Sequence, residues 1–250
     1  MAGVNVGLAV VAAILAAGGL LSLWWRTRMG GEIALMAATA TSKAADVAKL
    51  APGTLVEVKG TLRCAQPLTA EFSKQACVYF KAEIERDEVW YDTDSQGKQR
   101  RNTRKVTLHS NIQHAPCLIE DDSGRVVVDL DGAEIEAPQV VYAMGLPGGN
   151  AAADVITSVT QLVSDQTIRH FEYALAVDIP AYLLGEVKPG GTIGKPAKGA
   201  ANKTFVISHK SEEERAKDIG STMTLVFWLA IVLFAAAAGV LVWAFIKGPL

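Results

Sequence analysis

Residues 6–25, VGLAVVAAILAAGGLLSLWW, and residues 223–246, MTLVFWLAIVLFAAAAGVLVWAFI, decide the architecture of this chain of 250 residues. Neither stretch contains a charged side chain, and each is long enough for a helix that crosses the hydrocarbon core of a bilayer, which takes about 20 residues. Trp25 and Arg26 border the first stretch and Lys247 follows the second, as is typical of a membrane interface. The sequence therefore predicts an integral membrane protein with a transmembrane helix near each end.

A cleaved signal peptide is the alternative interpretation of the first stretch, because it too is N-terminal and apolar. The opening residues MAGVNVG carry no Lys or Arg, and the apolar run exceeds the roughly 7–15 residues of a signal-peptide core, so we expect a retained anchor. The predicted domains are a transmembrane helix over 1–25, a soluble β-rich domain with an N-terminal amphipathic helix over 26–221, and a transmembrane helix with a short tail over 222–250.

The basic residues near the helix ends predict the orientation of this two-pass chain. They lie almost entirely on the side of the central domain, and the positive-inside rule then places that domain in the cytoplasm. The alternative is the periplasmic or intermembrane side. The residues concerned are Arg26, Arg28 and Lys43 after the first helix, Lys210, Arg215 and Lys217 before the second, and only Lys247 beyond it.

Charge and cysteine content narrow the possible partners and compartments. The formal net charge of −2 gives no electrostatic argument for nucleic acid binding. The three cysteines, Cys64, Cys77 and Cys117, are odd in number and widely spaced, which favours a reducing compartment over a disulfide framework. We therefore expect the lipid bilayer and a protein as partners, with no nucleic acid; the sequence leaves the oligomeric state open.

Alternating apolar and polar residues predict short strands between the two helices. In residues 54–60, TLVEVKG, Val56 and Val58 face one way and the charged residues beside them the other, which is typical of a half-buried strand. The same alternation predicts further strands over residues 77–84, 106–112, 117–120, 125–130, 171–175, 181–187 and 205–208.

Polar and glycine-rich stretches predict the connections. Residues 92–104, DTDSQGKQRRNTR, are polar throughout and predict a long hairpin connection, and residues 121–124, DDSG, predict a turn between two strands. Gly30-Gly31 is expected to end the first helix. Three other segments are predicted: an amphipathic helix over 32–50, a loop over 145–149 and a short helix over 151–163.

The predicted fold class is a membrane-anchored α+β protein, whose β-rich domain is a small antiparallel barrel or sandwich between two transmembrane helices. Its strand order resembles that of an oligonucleotide/oligosaccharide-binding barrel. The domain also resembles the one between the membrane helices of the GIDE (MULAN/MAPL) family of membrane-anchored E3 ubiquitin ligases. The segments that carry the resemblance are LAPGTLVEVKG at 50–60, ACVYF at 76–80, IEDDSG at 119–124, YLLGEV at 182–187 and FVIS at 205–208.

The resemblance implies ubiquitin chemistry that these residues do not themselves encode. In the family, the ligase activity belongs to a RING after the second helix, which needs about eight Cys or His ligands in close pairs. The chain has three Cys and four His, and only residues 247–250 follow the helix. We therefore predict a membrane-tethered binding or scaffolding module without a catalytic site or cofactor. The alternative is a ubiquitin-transferase-like protein that acts with a separately encoded RING or conjugating enzyme.

One cluster has metal-ligand residue types. His109, His114 and Cys117 lie close in sequence, and His170 offers a fourth ligand for zinc. On a strand, however, His109 and Cys117 share a face that His114 does not, and no CxxC pair is present. A structural role is therefore favoured, and the sequence assigns no metal site.

Three further features have a functional and a structural interpretation. Cys77 is a candidate nucleophile or oxidation sensor, on the same face as Tyr79 and Lys81 and away from the predicted core, but the sequence assigns it no His or Asp partner. The motif from Asp129 to Asp131 resembles part of a calcium loop whose other ligand positions are unfilled. The basic residues Lys98, Arg100, Arg101, Arg104 and Lys105 suit either anionic lipid or, as we favour, a solvated hairpin balanced by nearby acids.

Overall fold

The computed structural model describes residues 5–144, 168–200 and 202–248, which form two compact units. One is a pair of helices made of the two chain ends, up to residue 40 and from residue 210, and the other is β-rich and spans residues 41–209. The predicted loop over 145–149 and helix over 151–163 lie outside the described residues. The predicted fold class, a β-rich region flanked by two apolar helices, is confirmed.

The helical unit consists of α1 (Val6–Ala38) and α3 (Glu212–Lys247), each long and apolar enough to cross a membrane. Gly19 lies against the ring of Phe234, at a distance that leaves no room for a side chain on Gly19. At the polar end of the pair, Arg215 Nη2 lies 2.6 Å from Glu32 Oε1. Close packing at a small residue, joined with an ion pair, holds the two helices side by side.

The structure differs from the prediction that Gly30-Gly31 ends the first helix. Helix α1 continues through both glycines to Ala38. The predicted amphipathic helix over 32–50 is therefore wrong as a separate element: its first part belongs to α1, and within residues 39–54, all of which are described, the only helix is the single turn α2 (Ala44–Val47). Neither glycine adopts the left-handed conformation that ends helices, so the pair only weakens the helix locally.

The described part of the β-rich unit contains twelve strands besides α2. Their bounds are β1 Leu55–Arg63, β2 Leu68–Thr69, β3 Ala76–Thr93, β4 Gln99–His114, β5 Cys117–Glu120, β6 Arg125–Val128, β7 Glu134–Glu136, β8 Gln139–Met144, β9 Ile168–Ala176, β10 Pro180–Val187, β11 Ile193–Gly194 and β12 Val206–Ser208.

Five of these strands close into a barrel in the order β1-β5-β6-β11-β10, because β10 pairs again with β1. All neighbours are antiparallel except β11 and β6, which are parallel. The interior is apolar, with Val58, Leu183 and Ile207 among the fully buried residues. Gly60 permits the close approach of β1 to its neighbour β5, since a side chain there would meet the Glu120 carbonyl oxygen at 2.5 Å.

The second sheet forms a half-barrel in which β3 is central. Strands β2 and β4 pair with one edge of β3, β9 pairs with the other, and β8 pairs with β9. Its covered side, called the inner face here, carries Phe80, Ala82 and Ile84. The opposite side, the outer face, carries Lys81 and Glu83.

Residues 92–104 are a strand pair rather than the predicted long connection. Strands β3 and β4 stay paired as far as Thr93 and Gln99, and the turn between them covers only residues 94–98. The prediction was wrong because this part of the pair has no buried face: it extends beyond β9 as a two-stranded ribbon, and its side chains need no apolar alternation.

Candidate functional site

The inner face of the half-barrel holds a group of polar side chains. Ile84 on β3 lies opposite His109 on β4 and His170 on β9. The neighbouring Ala82 lies opposite Asn111 and Glu172, and directly opposed residues of antiparallel strands share a face. Four polar side chains therefore surround two apolar ones on the same side of the sheet.

The turn of residues 71–73, which follows β2, is tied down over this face at two points. The fully buried carboxylate of Glu172 accepts hydrogen bonds from the backbone N–H groups of Phe72, at 2.5 Å, and Ser73, at 2.9 Å. On the other side, Asn111 Nδ2 donates to Glu71 Oε2 at 2.7 Å, and His109 Nε2 lies 2.9 Å from Glu71 Oε1. We call Glu71, His109, Asn111, His170 and Glu172 the inner polar cluster.

His170 is the unusual member of the inner polar cluster. Its side chain is only 2% exposed, yet neither ring nitrogen makes a well-formed hydrogen bond to a described residue, and only the Ala143 backbone interacts with the ring as a weak hydrogen-bond partner in that part of the chain. The ring of Phe72 meets it edge-on, with 5.8 Å between the ring centroids. Burial lowers the pKa of His170, and the nearby Ala143 backbone opposes only part of that change. The lowered pKa favours the neutral imidazole, whose hydrogen-bonding capacity is at most partly used by the Ala143 backbone.

Cys77 does not lie where the alternation placed it. The strand shifts register between Cys77 and Tyr79, so the thiol turns inward and packs with Phe80 and Ala82, fully buried. Burial, together with the negative charge of Glu172, raises the pKa of Cys77 to about 11. A nucleophilic or redox-sensing cysteine needs a lowered pKa and access to solvent, so the surroundings of Cys77 favour a structural role.

The metal-ligand candidates are dispersed over both sheets. His109 lies on the inner face and His114, at the end of β4, on the outer face, while Cys117 is buried in the barrel core, where burial raises its pKa to about 12. His170 lies two strands away from His109. Within residues 5–144, 168–200 and 202–248, no three His, Cys, Asp or Glu side chains are arranged to hold a metal ion.

Two candidate features remain, the motif from Asp129 to Asp131 and the basic residues between 98 and 105, and both have local structural roles. Asp129 accepts a hydrogen bond from the backbone N–H of Asp131, at 3.1 Å, in an exposed turn. Of the basic residues, four lie on β4 and Lys98 lies in the turn before it. Arg104 pairs with Glu88 across the ribbon and lies over the ring of Trp90, 5.8 Å from its centroid.

The outer face of the half-barrel exposes apolar side chains near β8. Tyr142 and Met144 on β8 are 56% and 63% exposed. Tyr142 lies opposite Phe171 on β9, with 5.5 Å between the ring centroids. We call Tyr142, Met144 and Phe171 the outer patch. Beside it, Arg169 makes two hydrogen bonds to the Asp87 carboxylate, which fix the position of this positive charge.

Sequence reasoning missed most of these residues, although one signal was present. Residues 170–173, HFEY, alternate between polar and aromatic, with Phe171 and Tyr173 on one side and His170 and Glu172 on the other. Aromatic residues are usually assigned to a buried core, but in this strand the side that carries His170 and Glu172 is the buried one. Glu71 and Asn111 carry no pattern that links them to β9, because only the fold brings them together.

Together, two apolar helices that fit a membrane protein and a β-rich unit with a closed barrel and a half-barrel define a class in which one globular unit lies in the sequence between two apolar helices. Within this class, the chain belongs to the GIDE family, described as E3 ubiquitin ligase, whose family model matches residues 87–242, more than half of the chain. The resemblance inferred from sequence is thus confirmed. Comparison with curated proteins and comparison with solved structures each gave no match.

Proposed function

We propose that this protein is a membrane-tethered binding module whose half-barrel recognises a protein partner at the bilayer surface. The observation that carries the proposal is the outer patch, where Tyr142 and Met144 stay largely exposed beside Phe171. Exposed apolar side chains grouped on a rigid sheet are typical of protein interaction sites, and aromatic residues contribute disproportionately to binding.

The chemistry of the described residues supports binding over catalysis. The buried thiols of Cys77 and Cys117 have raised pKa values, which disfavours the thiolate needed for transfer reactions. In the inner polar cluster, both carboxylates are engaged in holding the turn of residues 71–73. The module is therefore proposed to supply recognition, and any covalent chemistry is left to the partner.

Family membership supports a second candidate, in which the module acts in ubiquitin transfer together with a RING or conjugating enzyme encoded separately. The two candidates differ in what the partner is. A partner that carries a ubiquitin-like modifier, or conjugates one, supports the second candidate. A source genome that encodes neither a ubiquitin-like modifier nor a conjugating enzyme contradicts it.

Site-specific photocrosslinking in native membranes tests the binding proposal. A photoreactive amino acid replaces Tyr142 in the outer patch, and a matched control replaces Val127 on β6, which is 51% exposed on the barrel. We expect a discrete crosslinked product from position 142 that position 127 does not give. Equal labelling from both positions, or no product from position 142 under any growth condition, contradicts a specific partner at this patch.

We further propose that the β-rich unit lies on the cytoplasmic side, which the basic residues near the helix ends support. Cys77 and Cys117 are buried, so labelling the native thiols is a poor probe of sidedness. A Val127→Cys variant in a Cys64→Ser background gives an exposed thiol instead. In sealed vesicles of known orientation, an impermeant maleimide is expected to label it from the cytoplasmic face only; labelling from the opposite face supports the periplasmic or intermembrane alternative.

A further inference from the structure

Two cysteines lie where the chain passes between the closed barrel and the half-barrel. Cys64 directly follows β1, and the chain leaves the barrel there for β2, β3 and β4 of the half-barrel. Cys117 is the first residue of β5, where the chain returns to the barrel. Residues 65–116, which we call the half-barrel segment, lie between them. The two cysteines therefore mark both ends of this segment.

The strand register places the two cysteines opposite each other. Strands β1 and β5 are antiparallel, and the last pair of their register at this end is Arg63 and Leu118. The next residues along the two strands are Cys64 and Cys117. Directly opposed residues have Cα atoms about 4.5–5.5 Å apart, within the range of about 4.4–6.8 Å found in disulfides. The backbone separation of this register is therefore compatible with a disulfide.

The two side chains also share a face of the sheet. Leu62 and Ile119 are opposed in the same register, and both are fully buried in the barrel core. Each lies two residues from one of the cysteines, and side chains two residues apart on a strand point the same way. In agreement, Cys117 belongs to the barrel core, and Cys64 packs against that core.

The contacts of the Cys64 thiol agree with this placement. The thiol donates a hydrogen bond to the Pro116 carbonyl oxygen, with 3.2 Å between Sγ and O, so Cys64 contacts the residue that precedes Cys117. Burial is the main cause of the raised pKa of Cys117, and the nearby Cys64 contributes to the same change. The two thiols are thus neighbours in the folded protein.

Cys77 is the alternative partner for Cys64. Its pKa is raised mainly by burial and to a smaller extent by Cys64, so these two thiols are also not far apart. Cys77 nevertheless packs in the half-barrel with Phe80 and Ala82, whereas Cys64 packs against the barrel core. Strands β1 and β3 belong to different sheets, so no register sets the two residues opposite each other. Cys117 is therefore the better-placed partner.

We propose that Cys64 and Cys117 are an oxidisable pair, in which hydrogen peroxide closes a disulfide that joins β1 to β5 at the two ends of the half-barrel segment. The disulfide turns residues 65–116 into a closed loop and holds together the two points at which they leave and rejoin the barrel. This inference goes beyond the binding function proposed for the outer patch and does not depend on it.

The difference in burial sets the order of the chemical steps. Cys64 is half-buried and Cys117 is buried, so peroxide reaches Cys64 first and oxidises its thiol to a sulfenic acid, with release of one water. The Cys117 sulfur then attacks the Cys64 sulfur: the S–S bond forms, the S–O bond breaks, and the hydroxyl leaves with the Cys117 proton as a second water. A dithiol reductant restores both thiols and is itself oxidised to a disulfide.

Peptide mapping of the full-length protein tests the proposal. Native membranes are treated with hydrogen peroxide, the remaining thiols are alkylated, and the peptides are mapped without reduction. We expect a peptide pair joined through Cys64 and Cys117, with Cys77 alkylated, and dithiothreitol should return all three cysteines to free thiols. The matched control Cys77→Ser should form the same disulfide to the same extent, and Cys64→Ser should form none.

Thermal unfolding of the purified protein in detergent gives a second readout. A disulfide that closes a loop of this length restricts the unfolded chain, so the oxidised wild type should melt roughly 5–10 °C above the reduced wild type. Cys64→Ser should melt at one temperature with or without peroxide. Because Cys64 is half-buried, this variant is expected to fold, whereas a substitution of the buried Cys117 tests folding as well as chemistry.

Four results would overturn the proposal. The first is a disulfide between Cys64 and Cys77, and the second is a disulfide that joins Cys64 residues of two copies. The third is oxidation of Cys64 to a sulfinic acid while Cys117 stays free, and the fourth is wild type whose three thiols all remain free after peroxide. Each is read from the wild-type peptides alone, so none depends on the folding of a variant.

Discussion

The closed barrel and the half-barrel each bury a polar side chain, but the two side chains differ in how far their hydrogen-bonding groups are satisfied. In the barrel, Glu57 is 1% exposed and is contacted by Thr41, Lys59 and Tyr182. In the half-barrel, His170 is equally buried but makes no well-formed hydrogen bond in the described part of the chain. Buried polar groups are normally satisfied, and an exception calls for an explanation. The comparison shows that the barrel satisfies its buried polar group more completely than the half-barrel does, in keeping with the recognition role proposed for the half-barrel.

The largest expected effect is the removal of a barrel core side chain. Leu183 is fully buried, so Leu183→Ala should reduce the free energy of unfolding by about 2–5 kcal/mol through lost burial and a residual cavity. Phe72→Ala in the half-barrel should cost less, because Phe72 is only partly buried. Denaturation of the full chain in detergent, followed by circular dichroism, measures both. Equal losses of unfolding free energy in the two variants would show that the two sheets contribute equally to stability.

Replacing the two buried polar residues by leucine sharpens the comparison. Glu57→Leu should reduce the free energy of unfolding by about 1–3 kcal/mol, because its partners lose their acceptor. His170→Leu should leave stability unchanged or raise it by up to about 1 kcal/mol, because no well-formed hydrogen bond is lost. Melting temperatures of the two variants test this difference. A His170→Leu variant as unstable as Glu57→Leu would mean that His170 has structural partners.

The pH dependence of stability gives an independent test of His170. Its pKa is lowered by burial, so the folded state favours the neutral ring, whereas the unfolded chain binds a proton near the usual pKa of about 6.5. Its contribution to stability is therefore present above pH ~6.5 and is lost as the pH falls toward the folded-state pKa. His170→Leu should remove this part of the decrease, which begins as the pH falls below about 6.5. An unchanged pH profile in the variant contradicts a buried neutral His170.

The smallest expected effect concerns the turn of residues 71–73. Glu172→Gln keeps the shape of the side chain but weakens the charge-assisted hydrogen bonds to the N–H groups of Phe72 and Ser73. A loss of about 1 kcal/mol corresponds to roughly fivefold faster hydrogen exchange at these two amides. The amide of Leu62 in the barrel, which donates to the Ile179 carbonyl, is the control and should not change.

Much of the barrel could be predicted from sequence, because burial imposes a pattern. The alternation around Val56 and Val58 and the turn at residues 121–124 correspond to β1 and to the β5–β6 hairpin. In that hairpin, Asp121 accepts hydrogen bonds from the backbone N–H groups of Ser123 and Gly124. Burial alone would raise the pKa of Asp121, but these bonds and others lower it to about 2. Because these hydrogen bonds to Asp121 lie within four consecutive residues, residues 121–124, the local sequence is enough to predict the turn.

The half-barrel was harder to predict, because contacts between residues far apart in sequence determine its structure. The ribbon has no buried face, so residues 92–104 show no apolar alternation, and β8 was missed as a strand. The position of Cys77 depends on a register shift in β3, and no residue near Cys77 in the sequence indicates that shift. The inner polar cluster joins three segments that lie 40 or more residues apart, from Glu71 through Asn111 to Glu172.

The most direct test of the division between barrel and half-barrel is a comparison of Tyr142→Glu with Val127→Glu in native membranes. Both positions are about half exposed, so neither change should unfold the protein, and equal melting temperatures verify that. The partner identified by photocrosslinking at position 142 is then quantified by copurification. Tyr142→Glu should reduce its yield by about tenfold or more, while Val127→Glu leaves it unchanged. The same yield from both variants, or a larger loss from Val127→Glu, would contradict the assignment of recognition to the half-barrel.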